Sequence, residues 1–139
     1  MIADASEKDE ALVKSLGADI VVRRGNDVAA RIRQHFPHGV DGLADGAVLK
    51  ELAIPAVRDG GAFTSVRGFA GVPTRDIRFS TTFVREYAFE HAKLDRLRQL
   101  VDEGKITLRV AATYAPEQAG EAHRRLEAGG TRGRIIIGF

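Results

Sequence analysis

Short apolar runs alternate with longer amphipathic stretches along this chain. The runs with strand character cover residues 1–5, 20–22, 40–44, 62–66, 77–84, 108–113 and 134–139. Amphipathic stretches or glycine-containing turns separate most of these runs, which is the pattern of parallel strands connected by helices. We therefore predict an α/β fold with a mainly parallel sheet.

Two of the amphipathic stretches carry clear helix signals. Ser6 followed by Asp9 approximates a capping box, and the helix that it opens should end at Gly17 with Leu16 facing inward. Residues 27–36 repeat apolar side chains at helical spacing until a proline follows. We expect both helices to pack against the sheet.

The middle of the chain predicts one interrupted helix and one edge strand. Residues 46–59 have a helical pattern that should break near Pro55, because an interior proline removes a main-chain donor and clashes with the preceding turn. Residues 77–84 alternate apolar and polar side chains for much of their length. That alternation is typical of an edge strand with one face against water or a partner.

The composition is that of a globular protein and argues against several functions. Hydrophobic residues make up 44% and charged residues 29% of the 139 residues, and the net charge is +2 with both signs mixed throughout. We therefore expect no nucleic-acid partner. No run approaches the roughly 18 apolar residues of a membrane span, and residues 1–20 lack a leader pattern, so we expect no membrane partner and a cytoplasmic location. Without Cys and with four scattered His, the sequence predicts no metal site.

Six segments of the chain, taken in order, together form a pattern that is specific enough to indicate a protein family. They are residues 2–8 (IADASEK), 15–19 (SLGAD), 39–45 (GVDGLAD), 59–66 (DGGAFTSV), 113–123 (TYAPEQAGEAH) and 130–137 (GTRGRIII). In this order they resemble the C-terminal portion of the medium-chain dehydrogenase/reductase superfamily, the zinc-type alcohol dehydrogenase-like proteins, in its quinone oxidoreductase branch.

The resemblance implies a Rossmann-like, doubly wound, mainly parallel sheet. Residues 1–106 would be a truncated nucleotide-binding domain, and residues 107–139 a segment that in relatives returns to the catalytic domain. In the family, a first strand and a Gly-rich turn precede the position where this sequence begins, and strand order normally runs 3-2-1-4-5-6. We therefore expect a gap between strands 1–5 and 40–44, closed by direct pairing of these neighbours or filled by a strand from another copy.

The resemblance assigns residues in and directly after the first predicted strand to the adenosine end of a nicotinamide dinucleotide cofactor. Asp4 stands where an acidic residue contacts the ribose, and Ser6 with Lys8 resembles a site for the 2'-phosphate, which slightly favours NADP over NAD. The alternative is that Ser6 only caps a helix and Lys8 is solvated. The Gly-rich turn normally holds the pyrophosphate, so we expect weak dinucleotide binding.

The remaining candidate cofactor residues follow later strands. Asp45 stands where relatives contact the cofactor riboses, and a plain strand-to-helix turn is the alternative. Arg134 stands where a basic residue approaches the pyrophosphate, and a solvated strand charge is the alternative. The positions that present main-chain groups to the nicotinamide in relatives are Ser65, Val66, Arg67, Phe83 and Val84.

The resemblance implies an NAD(P)-dependent oxidoreductase that acts on a quinone or an enone. No catalytic residue can be named, because hydride transfer in this branch depends on holding nicotinamide against substrate. We expect little or no activity from these 139 residues by themselves. The alternative is a non-catalytic dimerisation or nucleotide-binding module. We also expect a homodimer, formed through the strand at residues 77–84.

Overall fold

Seven parallel strands organise the computed structural model, which describes residues 1–139. They are β1 (Ile2–Ala5), β2 (Ile20–Arg23), β3 (Val40–Asp45), β4 (Val57–Ser65), β5 (Arg78–Thr81), β6 (Val110–Tyr114) and β7 (Arg134–Ile137). The helices are α1 (Glu10–Ser15), α2 (Val28–His35), α3 (His91–Asp102) and α4 (Ala119–Glu127), with short 3-10 turns between elements. The predicted α/β class with parallel pairing is therefore confirmed.

The chain packs as two units, residues 1–87 and residues 88–139. The first unit holds β1 paired with β2 and a separate sheet in the order β3-β4-β5, and the second unit holds β6 paired with β7. The boundary predicted near residue 106 separates two domains of the family, which is a different division from these packed units, and it stays a prediction.

Helix α2 covers one side of the first unit. Its Val28, Ala29 and Ile32 are buried in a cluster with Val22 of β2. The spacing of these residues places them on one helical face, as the 27–36 pattern predicted. The preceding helix fits its prediction less well, because α1 ends at Ser15 and Leu16 is 68% exposed rather than turned inward.

The β3-β4-β5 sheet is built around the ring of Phe63, which is 1% exposed. Its centroid lies 5.7 Å from that of Phe69, edge to face, and 5.5 Å from that of Phe79. Such aromatic contacts add to the stabilisation from apolar burial. Gly71 is required beside them, because a Cβ there would lie 2.2 Å from the Phe79 ring.

The interrupted helix predicted for residues 46–59 is wrong. Two 3-10 turns, Lys50–Leu52 and Ile54–Ala56, occupy its middle, and β4 already begins at Val57. Arginine side chains bind carbonyl groups at the end of this stretch. Arg33 donates to the carbonyls of Pro55 and Val57, at 2.8 and 3.2 Å, and Arg75 also donates to the Val57 carbonyl at 2.9 Å.

Strand β5 is the last strand in the order β3-β4-β5, so its predicted edge position is confirmed. It is shorter than predicted, since it ends at Thr81 and a 3-10 turn covers Val84–Tyr87.

Strands β1 and β3 do not pair with each other, so the expected direct closure of the gap is wrong. A cavity of about 420 Å³ is lined by residues of both strands and by Val28 and Ile32 of α2. We name this cavity, bounded by β1 and β3, the inter-strand groove.

The second unit pairs β6 with β7 and places α4 beside β7. Gly133 makes the close approach of these strands possible. Its φ is +106°, and a Cβ there would lie 2.4 Å from the carbonyl oxygen of Arg109. A side chain at this position would therefore clash with the main chain that leads into β6.

Candidate functional site

The carboxyl ends of three neighbouring strands form one row in the first unit. Asp45 of β3 is in register with Ser65 of β4, and Ser65 is in register with Thr81 of β5. The loops that follow these residues therefore leave the sheet at the same edge. In open parallel sheets, ligands bind at this edge.

Asp45 is 2% exposed, and the structure gives its carboxylate three main-chain donors. Oδ1 accepts from the N–H groups of Ala47 and Leu49, at 3.1 and 3.0 Å, and Oδ2 accepts from the N–H of Lys50 at 2.9 Å. This arrangement stabilises the turn after β3, which is the plain-turn alternative of the sequence analysis. A ribose contact by Asp45 stays a prediction.

The loops after β4 and β5 place the predicted nicotinamide-side residues near one another. Ser65 is buried, and its hydroxyl accepts from the Arg67 N–H at 3.2 Å. Val66 and Phe83 are about half exposed, and the Phe83 ring lies near Gly68 of the β4 loop. Val84 is 73% exposed in the following turn. This edge therefore offers accessible main chain and apolar side chains beside a buried hydroxyl.

Asp4 lies in β1, on the lining of the inter-strand groove. Its carboxylate accepts from the guanidinium of Arg24 at 2.9 Å and is largely shielded from solvent. Asp4 and Asp45 therefore lie on the two opposite walls of the groove. Both are close to the carboxyl ends of their strands.

A basic cleft of about 650 Å³ follows the carboxyl ends of β1 and β2. Its lining residues are Ser6, Glu7, Lys8, Arg23 and Arg24. Arg23 pairs with Glu7, and Ser6 donates its hydroxyl to the Asp9 carboxylate rather than capping a main-chain N–H. Of the three cations, Arg23 pairs with Glu7 and Arg24 pairs with Asp4, which leaves the Lys8 ammonium available for an anion.

Arg23 and Arg24 were missed by the sequence analysis. Their signal was present, because two consecutive arginines end the second predicted strand. In a parallel pair, the carboxyl end of β2 meets that of β1, and Ala5 is in register with Arg23. This pairing brings the two arginines next to Ser6 and Lys8.

Arg134 lies in the second unit, at the beginning of β7. Its side chain is exposed, and its N–H donates to the Arg109 carbonyl at 2.8 Å. The pyrophosphate contact proposed for Arg134 stays a prediction.

Zinc does not fit the described residues. Across residues 1–139 no group of three or more His, Cys, Asp or Glu side chains is arranged to hold a metal ion, so no chemical step is assigned to zinc. None of the helices in the structure is long and apolar enough to cross a membrane.

Comparisons with known proteins give consistent similarities. A family model described as zinc-binding dehydrogenase matches residues 16–137. A probable mitochondrial zinc-binding oxidoreductase of Arthroderma benhamiae is 27% identical over 146 residues, covering 99% of this chain and 43% of that protein.

Solved structures show the same likeness. A crystal structure of an NAD-dependent alcohol dehydrogenase is 28% identical with a TM-score of 0.75, covering 99% of this chain and 43% of the other. A Pseudomonas syringae quinone oxidoreductase, 20% identical with a TM-score of 0.75, covers 98% of this chain and 48% of the other, and shows the fold alone. The chain therefore spans less than half the length of each of these three proteins.

Proposed function

This chain belongs to the zinc-binding dehydrogenase family, within the medium-chain dehydrogenase/reductase superfamily, and we propose that it binds NADP as part of an oxidoreductase that acts on a quinone or an enone. The observation that carries the choice of NADP over NAD is the basic cleft of Ser6, Lys8, Arg23 and Arg24. The ammonium and guanidinium groups are suitable donors for the 2'-phosphate that distinguishes the two cofactors, whereas the Ser6 hydroxyl would have to leave the Asp9 carboxylate to donate to it.

The charge balance of the cleft supports this proposal. Glu7 pairs with Arg23, and Asp4 pairs with Arg24, whereas Lys8 has no ion-pair partner. A 2'-phosphate would therefore meet one unpaired ammonium and two guanidinium groups that also carry further donors. Asp4, whose carboxylate pairs with Arg24, lies close enough to the carboxyl end of β1 to contact the adenosine ribose.

The other candidate residues would hold the remaining parts of the cofactor. The row of Asp45, Ser65 and Thr81 brings the loops after β3, β4 and β5 to one edge. There Val66, Arg67, Phe83 and Val84 would position the nicotinamide end through main-chain and apolar contacts, and in the second unit Arg134 would approach the pyrophosphate. When bound, the nicotinamide supplies the hydride; the residues of this chain bind and orient it.

Binding of adenosine 2',5'-bisphosphate and of adenosine 5'-monophosphate, compared by calorimetry, tests the choice of NADP. We expect the bisphosphate to bind about tenfold to a hundredfold more tightly, since one charge-assisted contact contributes roughly 1.5–3 kcal/mol. Lys8→Gln should remove most of this preference, and the matched control Lys14→Gln, on α1, should retain it. Equal affinity for both nucleotides would contradict the proposal.

The 139 residues by themselves should bind the whole dinucleotide weakly and turn it over little or not at all. The cationic groups of the cleft hold only its adenosine end, and the inter-strand groove between Asp4 and Asp45 is open. NADPH oxidation with a quinone, measured on the purified chain, tests this expectation, and measurable turnover would contradict it.

We also propose a cytoplasmic location for this protein.

The second candidate is a homodimerisation module, favoured by the free edge of β5. The Thr82 N–H donates to Ser65 of β4 at 2.9 Å, so the neighbouring Thr81 N–H points to the outer edge. Thr81→Pro should remove an outward donor and weaken association, whereas Thr81→Ala should not. Both changes lose the hydroxyl contact with the Phe69 carbonyl. A monomer at high concentration in sedimentation equilibrium would refute the edge-pairing dimer.

A further inference from the structure

A small polar cavity lies in the second unit, between the beginning of β6 and the loop that leads into β7. Its volume is about 300 Å³, and it is lined by residues 109–111, by Arg125 of α4 and by the loop at residues 129–132. The lining contains three arginines, Arg109, Arg125 and Arg132, and no carboxylate. We name it the arginine cavity. Its charge favours an anionic occupant.

The close approach of two segments places Arg109 beside this loop. Arg109 directly precedes β6, and its carbonyl accepts from the Arg134 N–H at 2.8 Å, where β7 begins. A Cβ at Gly133 would lie 3.0 Å from Cγ of Arg109, so the stem of this arginine lies directly against the loop. The glycine therefore leaves the space that the arginine stem occupies.

The protein supplies no counter-charge to two of the three arginines. The Arg125 guanidinium donates to the Tyr114 hydroxyl at 3.2 Å, which is a neutral partner, and neither Arg109 nor Arg125 has a carboxylate within ion-pair distance. Arg125 lies in the last turn of α4, where a cation stabilises the helix end. That reason does not extend to Arg109, which lies on another element. A bound anion would offset the repulsion between the two guanidinium groups.

The loop adds neutral donors that have no acceptor. The Thr131 hydroxyl oxygen is shielded from bulk solvent and has no hydrogen-bond partner. The N–H groups of Gly130 and Thr131 also donate to no acceptor within the protein. A shielded polar group without a partner costs free energy, because it has lost its hydrogen bonds to water. An oxyanion in the cavity would supply acceptors for this loop.

We propose that the arginine cavity binds a phosphate group, either as inorganic phosphate or as the terminal group of a small phosphomonoester. Guanidinium groups pair bidentately with phosphate oxygens, and the remaining oxygens accept from hydroxyl and main-chain N–H groups. At roughly 30 Å³ per water molecule, the cavity has the volume of about ten waters. One phosphate group therefore fits with several ordered waters.

The phosphate site is separate from the residues of the proposed NADP function. The basic cleft for the 2'-phosphate lies in the first unit. Arg134, which we relate to the cofactor pyrophosphate, does not line the arginine cavity. The two proposals can therefore fail independently.

Titration of the full 139-residue chain with sodium phosphate, at an ionic strength held constant with sodium chloride, tests the site by amide NMR. We expect saturable shifts at Gly130 and Thr131, with a dissociation constant at or below about 1 mM. Arg109→Gln and Arg125→Gln should each weaken binding by about tenfold, because each removes a charge-assisted contact. The matched control is Arg124→Gln, which changes the neighbouring α4 residue outside the cavity and should retain the affinity.

Thr131→Val separates phosphate binding from stability. The variant removes a hydroxyl that has no partner, so Tm without phosphate should not fall. Its affinity for phosphate should fall by about threefold or more, because the acceptor then meets a methyl group. A lower Tm with unchanged phosphate affinity would show a structural role for the hydroxyl and contradict its role in the site.

A second titration, with glycerol 3-phosphate, identifies the form of the ligand. Equal affinity for the ester and for inorganic phosphate would assign the free ion, and about tenfold tighter binding of the ester would assign a phosphomonoester. Both results support the phosphate site.

Three results would overturn the phosphate site. The first is no saturable shift up to about 10 mM phosphate, well above the expected dissociation constant. The second is an equal loss of affinity in Arg124→Gln and Arg125→Gln, which would show only a diffuse positive surface. The third is displacement of phosphate by NADP together with a larger loss in Arg134→Gln than in Arg109→Gln, which would assign the cavity to the cofactor site.

Discussion

Replacing Asp45 with Asn should destabilise the first unit, because the carboxylate is buried and each of its oxygens accepts from main-chain donors. An Asn side chain can keep its oxygen toward Ala47 and Leu49, but its amide nitrogen then faces the N–H of Lys50. Two donors would meet where a donor and a charged acceptor stood before.

The size of the effect follows from these contacts. One hydrogen bond to a charged acceptor is lost, which costs about 1.5–3 kcal/mol, and the Lys50 N–H is left without a partner. The two remaining bonds become neutral and therefore weaker. We expect the free energy of unfolding to fall by about 2–4 kcal/mol in total.

Urea denaturation followed by circular dichroism measures this change, with Asp41→Asn as the matched control. Asp41 lies on the same strand, but its side chain is 91% exposed and pairs only with Arg58. The control should cost at most about 1 kcal/mol, as expected for a surface ion pair. Equal shifts of the two midpoints would refute the structural role of Asp45. A variant that keeps its stability and loses affinity for adenosine nucleotides would instead show a ribose contact.

Two further predictions concern other parts of the chain. Gly133→Ala should destabilise the second unit by about 2–4 kcal/mol, because its φ of +106° is unfavourable and its Cβ would lie 2.4 Å from a carbonyl oxygen. The matched Gly104→Ala, with φ +70° and open space around its Cβ, should lower Tm less in thermal unfolding. The pKa of Glu10 is held below its ordinary value, first by the hydrogen bond from Lys14 and then by its charge. Lys14→Met should return that pKa toward its ordinary value in an NMR titration. Because the folded-state pKa of Glu10 is lowered, the Glu10–Lys14 pair stabilises the fold at pH values above the ordinary pKa of Glu, and this stabilisation is lost as the pH falls through the folded-state pKa. An unchanged Glu10 pKa in Lys14→Met would contradict the role of Lys14.

Local pattern predicted much of the chain, because several elements bury residues at their own periodicity. Val28 and Ile32 recur at helical spacing and are buried on one face of α2. Short apolar runs likewise predicted strands β1 to β3. The candidate residues Asp4, in β1, and Ser6 and Lys8, directly after it, could be found because residues 2–8 resemble the family.

Residues 46–59 show where local pattern failed. Their apolar spacing resembles a helix, but the Asp45 carboxylate binds the amides at the beginning of this stretch, and Arg33 and Arg75 bind carbonyls near its end. Arg33 and Arg75 are distant in sequence from the carbonyls that they bind, and Asp45 lies just outside the stretch, so the apolar spacing of residues 46–59 gives no sign of these contacts. The early start of β4 at Val57 follows from pairing with Val40 of β3.

The sequence by itself determined the family, the parallel α/β class and the identity of most candidate cofactor residues, because these depend on ordered local segments. Only the tertiary structure decided that Arg23 and Arg24 join Ser6 and Lys8 in one basic cleft, since strand register, not sequence proximity, brings them together. It also decided that β1 and β3 remain apart. Whether two strand edges meet depends on how α2 and the neighbouring sheet hold them, and no residue pattern within either strand contains that information.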